Sequence, residues 1–266
     1  MTSINPYLLT TFGLLFIFLM TTAGAACVFF VRKNLSLSFK RIFLGFAAGV
    51  MTAASIWSLL LPAMEQAEAI GNIPWVPATI GFILGGLFLL LIDKIIPHIH
   101  MDSKDPEGPP SSFKRQTLLY LAVAIHNIPE GLAVGLAFGL ALKNSGDVGL
   151  MAVAVGLALG IGLQNFPEGA AISLPMKEEG STKRRSFLYG MASGAVEPIF
   201  GLLGVFLAAV LTPIMPWALA FAAGAMIFVV VEELIPEARL GEHSHMGTFG
   251  FMAGFIIMMI LDVAFG

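Results

Sequence analysis

The chain has 266 residues, 57% of them hydrophobic and only 12% charged, with a formal net charge of −3. A soluble domain averages roughly 25% charged residues, so this composition excludes an ordinary globular protein and points to an integral membrane protein. The single cysteine, Cys27, excludes an internal disulfide and any multi-thiolate metal site, and nothing in the charge balance points to a nucleic-acid partner.

Apolar runs of at least ~18 residues are candidate spans. Eight occur, at about 8–31, 42–64, 75–97, 118–142, 148–174, 187–211, 217–236 and 247–265. The first has no Lys or Arg before it and is longer than a signal-peptide core, so it reads as a retained span. Basic residues then set the orientation. Arg32, Lys33, Lys40 and Arg41 fall between spans one and two, and Lys94, Lys104, Lys114 and Arg115 between three and four. Lys177, Lys183, Arg184 and Arg185 lie between five and six, and Arg239 between seven and eight. Of the 14 basic residues, only Lys143 falls on the other side. The positive-inside rule makes the basic side cytoplasmic and puts both termini outside. Short loops favour a bacterial inner membrane. The polar, proline-rich stretch 101–116 reads as a flexible cytoplasmic loop within one transmembrane domain covering 1–266.

The spans also repeat. Phe46-Ala47-Ala48-Gly49-Val50-Met51 in span two matches Phe221-Ala222-Ala223-Gly224-Ala225-Met226 in span seven. Gly81-Phe82, Gly85 and Asp93 of span three match Gly250-Phe251, Gly254 and Asp262 of span eight at the same spacing. Five helices separate matching members, so the copies run in opposite directions. The expected fold is therefore all-α, eight transmembrane helices in a 3+2+3 arrangement, with spans 1–3 and 6–8 as an inverted repeat, a pattern typical of carriers.

Span four carries His126-Asn127-Ile128-Pro129-Glu130-Gly131; span five carries Gln164-Asn165-Phe166-Pro167-Glu168-Gly169. Ionisable groups inside an apolar span are expensive and mark ion or substrate pathways. Residues four apart share a helix face, so His126 pairs with Glu130 and Gln164 with Glu168, each with an asparagine beside it. Pro129 and Pro167 cannot hydrogen-bond to the carbonyls of Ile125 and Leu163, which become additional oxygen donors at an expected kink. Span six adds Glu197-Pro198. One imidazole with carboxylates and amides suits zinc and its neighbours and disfavours Cu(I). Amides are weak ligands, an advantage where cargo must be released. Three carboxylates in low dielectric also need neutralisation, which a divalent cation or protons can supply.

The paired Asn-x-Pro-Glu-Gly segments, on spans four and five of eight, resemble the ZIP family of divalent-metal transporters along essentially the whole chain. Gln164, where a histidine is common, resembles the bacterial GufA-like branch. The resemblance implies transport of Zn²⁺, and of Cd²⁺, Fe²⁺, Mn²⁺ or Co²⁺, into the cytoplasm, with no enzymatic activity and no catalytic cofactor. It also implies that His126, Glu130, Gln164 and Glu168 line one metal position. Asn127, Asn165 and Glu197 would line a second, bridged by Glu130 and Glu168. Many relatives have aspartate where this chain has Asn165, and the neutral amide weakens that second position. An elevator is implied as well, spans 1, 4, 5 and 6 moving against 2, 3, 7 and 8, often in a homodimer.

Other polar groups admit two readings. Glu232 and Glu233, with Glu237, Glu242, His243 and His245, are either a cytoplasmic exit ladder or helix-end charges with their heads in water. Glu65 and Glu68 are either cation attractors outside or a solvated helix end. His98 and His100 read as solvated loop histidines, and Asp93 as a local ion pair with Lys94. Trp75 and Trp217 open spans where aromatic belts sit. Rival functions are an intramembrane metal-dependent hydrolase, which would want a His-Glu-x-x-His ligand set the chain lacks, and a metal sensor that does not transport.

Overall fold

A computed structural model describes residues 5–30, 36–99, 106, 108–113, 115–144, 147–178, 180–210, 212–239 and 244–265. The described chain is helical, without strands. Among the described residues, eight helical segments are long and apolar enough to cross a membrane: α1 (Pro6–Phe30), α2 (Leu37–Ala69), α3 (Trp75–Ile95), α4 (Tyr120–Lys143), α5 (Val148–Glu178), α6 (Lys183–Val210), α7 (Met215–Ala238) and α8 (Met246–Ala264). They match the eight apolar runs. Several extend beyond them, as α2 and α5 do, because backbone hydrogen bonding continues into polar turns where hydropathy falls. Both α4 and α5 continue as helix through Pro129 and Pro167. Residues 101–105, 107 and 114 of the 101–116 stretch lie outside the described residues, as do Arg32, Lys33, His100, Glu242 and His243.

Four helix pairs pack most extensively: α1 on α5, α4 on α6, α2 on α8 and α3 on α7. In α4, 72% of an apolar 18-residue stretch is buried, against 28% in α3 and α8. Of the eight, α4 is thus the most enclosed, and exposed apolar side chains such as Phe12, Leu84, Ile199 and Ile256 clothe the periphery. Glycines permit the closest crossings, as small residues do in membranes generally. A Cβ added to Gly131 of α4 would overlap the Glu197 carbonyl oxygen of α6. One added to Gly169 of α5 would overlap the Thr21 carbonyl oxygen of α1.

The matched Phe-Ala-Ala-Gly stretches lead into matched irregularities. A π-helical turn occupies Ser55–Leu60 in α2 and another Val230–Leu234 in α7. Each begins nine residues past its phenylalanine, Phe46 to Ser55 and Phe221 to Val230. Such turns widen the helix and re-aim its side chains, often at functional sites. Here one presents Ser58 to Asp262 of α8, with which it hydrogen-bonds; the other turns Glu233 into the interior.

Two expectations at the end of α3 are corrected. His98 is not solvated: it is 1% exposed, with Nδ1 2.8 Å from the Ile96 carbonyl and Nε2 2.8 Å from Asp93. Asp93 therefore pairs with His98, and Lys94 beside it is exposed. The reason is local: the Ile96 carbonyl and the Asp93 carboxylate hold the two ring nitrogens, while the next residue, Ile99, packs on Leu118.

Candidate metal centre

The motif helices bring His126, Asn127 and Glu130 of α4 to Gln164 and Asn165 of α5, all buried; Glu168 is half-buried, with its Oε1 enclosed. Glu197 arrives from α6 just after a break at Ala195, which separates the helical pieces Lys183–Gly194 and Val196–Val210. That break follows from Pro198, which has no N–H to give the carbonyl of Gly194. All seven residues expected at the site are thus gathered where α4, α5 and α6 meet.

Their partners divide the centre in two. On one side Gln164 Nε2 donates to Glu130 Oε1 at 2.6 Å. His126 Nδ1 lies 2.7 Å from the Ala122 carbonyl, an acceptor only, so Nδ1 carries the proton and Nε2 is the face turned inward. On the other side Glu197 is an acceptor for three donors. Thr21 Oγ1 and Asn127 Nδ2 donate to its Oε1 at 2.8 and 3.2 Å, and Asn165 Nδ2 to its Oε2 at 2.7 Å.

Five buried side-chain oxygens at the centre have no protein donor: Asn127 Oδ1, Glu130 Oε2, Gln164 Oε1, Asn165 Oδ1 and Glu168 Oε1. Orphaned acceptors are costly in low dielectric unless a cation, water or proton meets them. Among the described residues no group of three or more His, Cys, Asp and Glu side chains could by itself hold a metal ion. The donorless amide oxygens of Asn127, Gln164 and Asn165 share the centre with the carboxylate oxygens of Glu130 and Glu168.

Glu233 was only a secondary candidate in the sequence. The structure buries it and brings its Oε2 to 2.5 Å from His126 Nε2, while Glu232 beside it is exposed. Sequence spacing could not separate these neighbours; the π-helical turn of α7 does. Thr21 carried no sequence signal at all. Glu65, Glu68 and His245 are exposed, as solvated helix ends and loops would be. Replacing Glu233 by Ala takes a carboxylate from beside the His126 nitrogen that faces the centre, and metal uptake is expected to fall about tenfold, the lower end of the range for a group that tunes a metal site without ligating it. Wild-type uptake by that variant would make the pair a resting contact only.

Residues 102–262 match the family described as ZIP Zinc transporter. The zinc transporter ZIP11 of Homo sapiens is 37% identical over 335 aligned residues, covering 96% of each chain. The zinc transporter ZIPB of Bordetella bronchiseptica is 38% identical over 94% of this chain and 79% of its own. The zinc transporter GufA of Myxococcus xanthus is 34% identical over 84% of this chain and 85% of its own. The sequence motif, the eight apolar helices and these likenesses agree: the chain belongs to the ZIP zinc transporter family.

Proposed function

We propose that the protein carries Zn²⁺, with Cd²⁺, Fe²⁺, Mn²⁺ and Co²⁺ as related cargo, across the membrane into the cytoplasm through the centre on α4, α5 and α6. The observation that carries this reading is the group of five buried, donorless oxygens on the two segments 126–131 and 164–169. A cation entering there gains carboxylate and amide oxygens, together with His126 Nε2 once Glu233 releases it. Its charge offsets that of Glu130 and Glu168, and protons can replace it afterwards. Weak amide ligands favour release over storage. This is a carrier rather than an enzyme, working without a catalytic cofactor.

The 3+2+3 inverted repeat is supported by the packing. Exchanging α1–α3 with α6–α8 and α4 with α5 turns the α1–α5 pair into α6–α4, and α2–α8 into α7–α3. An elevator is the natural motion of such a frame: α1, α4, α5 and α6 carry the centre, while α2, α3, α7 and α8 stay fixed. The His126–Glu233 pair then crosses between the two bodies. The basic loops favour an inner-membrane orientation with both termini outside, and a homodimer is the proposed assembly.

The test is zinc uptake by proteoliposomes loaded with a metal-sensing dye. Saturable uptake supports the carrier; binding without flux would favour a sensor. Asn165→Asp places a carboxylate against Glu197 Oε2 where an amide now donates. That like-charge contact calls for an added cation, so the variant is expected to bind one more zinc ion per chain than the parent. Unchanged stoichiometry in a metal titration would argue against a second position beside residue 165.

A further inference from the structure

Asn127 and Asn165 are fully buried, and each spends both amide protons on acceptors. Asn127 Nδ2 donates to the Ser193 carbonyl at 3.0 Å and to Glu197 Oε1 at 3.2 Å. Asn165 Nδ2 donates to the Ile17 carbonyl at 3.3 Å and to Glu197 Oε2 at 2.7 Å. A backbone carbonyl can only accept, so neither amide can flip without setting oxygen against oxygen. Both Oδ1 atoms must consequently point away from Glu197, and both are among the buried oxygens without a donor.

Glu197 itself is fully buried and has no such free oxygen. Thr21 of α1 completes its coordination, 176 residues away in sequence, with a 2.8 Å hydroxyl donation to Oε1. The hydroxyl has one proton, and the carboxylate is nearer than its other acceptor, the Ile17 carbonyl at 3.3 Å.

Building on the carrier reading above, we propose that Glu197 is not a metal ligand in this chain but a positioning residue. Held by Thr21, it grips the N–H ends of Asn127 and Asn165 and turns their carbonyl oxygens toward the transported cation. The arrangement parallels the outer partners that orient ligands around bound metals. It makes Thr21 a determinant of metal affinity although α1 carries no ligand. It also explains how a buried glutamate can sit beside two neutral amides: its oxygens are occupied by donors rather than by a second ion.

Purified full-length protein titrated with Zn²⁺, with bound metal counted per chain, tests this together with uptake kinetics. Thr21→Val keeps the volume that packs on Gly194 and removes only the hydroxyl. It is expected to bind the same number of ions about tenfold more weakly and to raise KM with Vmax nearly kept, while Thr21→Ser restores wild-type affinity. Glu197→Gln, which would force one amide to reorient, is expected to weaken binding without changing the ion count. Loss of one ion in Glu197→Gln would make Glu197 a ligand and overturn the proposal. So would unchanged affinity in Thr21→Val, which would leave Thr21 a packing residue. If the wild-type chain bound no zinc, the carrier reading would fall first and this inference with it.

Discussion

Glu168→Ala is expected to reduce saturable zinc uptake in proteoliposomes to the level of empty vesicles, at least about a hundredfold below the parent at equal protein. Glu168 offers a buried Oε1 with no protein donor and lies within charge range of His126, Glu233, Glu130 and Glu197. Its removal takes a formal charge from a donor set otherwise rich in amides, and amides cannot replace it. The hole left is small and lies at a half-buried position, so the helices should remain assembled. Size-exclusion profiles identical to the parent would verify that. Glu168→Gln, which keeps the shape and removes the charge, is expected to fail as completely. Near-parental uptake by either variant would dissociate this carboxylate from transport and dismantle the proposed centre.

Gly131→Ala is expected to lower the thermal stability of the detergent-purified protein by about 1–3 kcal/mol, the range for overpacking, and to impair uptake beyond the loss of folded material. The added methyl would overlap the backbone carbonyl of Glu197, which no side-chain rotation can move aside. The helices α4 and α6 must separate, and Asn127 then loses its hold on Ser193 and Glu197. Gly86→Ala supplies the contrast. Its Cβ would come no nearer than 3.9 Å to the Gly224 carbonyl, an ordinary contact. Alanine is the better helix former by about 1 kcal/mol, so that change is expected to be neutral or stabilising. Equal melting temperatures for Gly131→Ala and the parent would show that the crossing has slack.

How much could be read in the residues depended on how local each signal was. The span count follows from apolar run length, and all eight runs became helices. The pairs within each motif, His126 with Glu130 and Gln164 with Glu168, were legible because residues four apart share a helix face. The end of α3 was misjudged because the chain turns His98 back onto Asp93 five residues earlier, a pairing that hydropathy does not show. Glu232 and Glu233 could not be told apart because the α-helical period fails in the π-helical turn that contains them.

The sequence by itself determined that this is an eight-span membrane protein with a polar centre on its fourth, fifth and sixth helices, since hydropathy, proline and helical spacing act over a few residues at a time. Only the tertiary structure decided that Glu233 meets His126, that Thr21 meets Glu197, and that two asparagines turn their oxygens away from that glutamate. Those contacts join residues on different helices, such as Thr21 and Glu197, 176 apart in the chain. They depend on which small residues let two backbones approach, and no single helix carries that information.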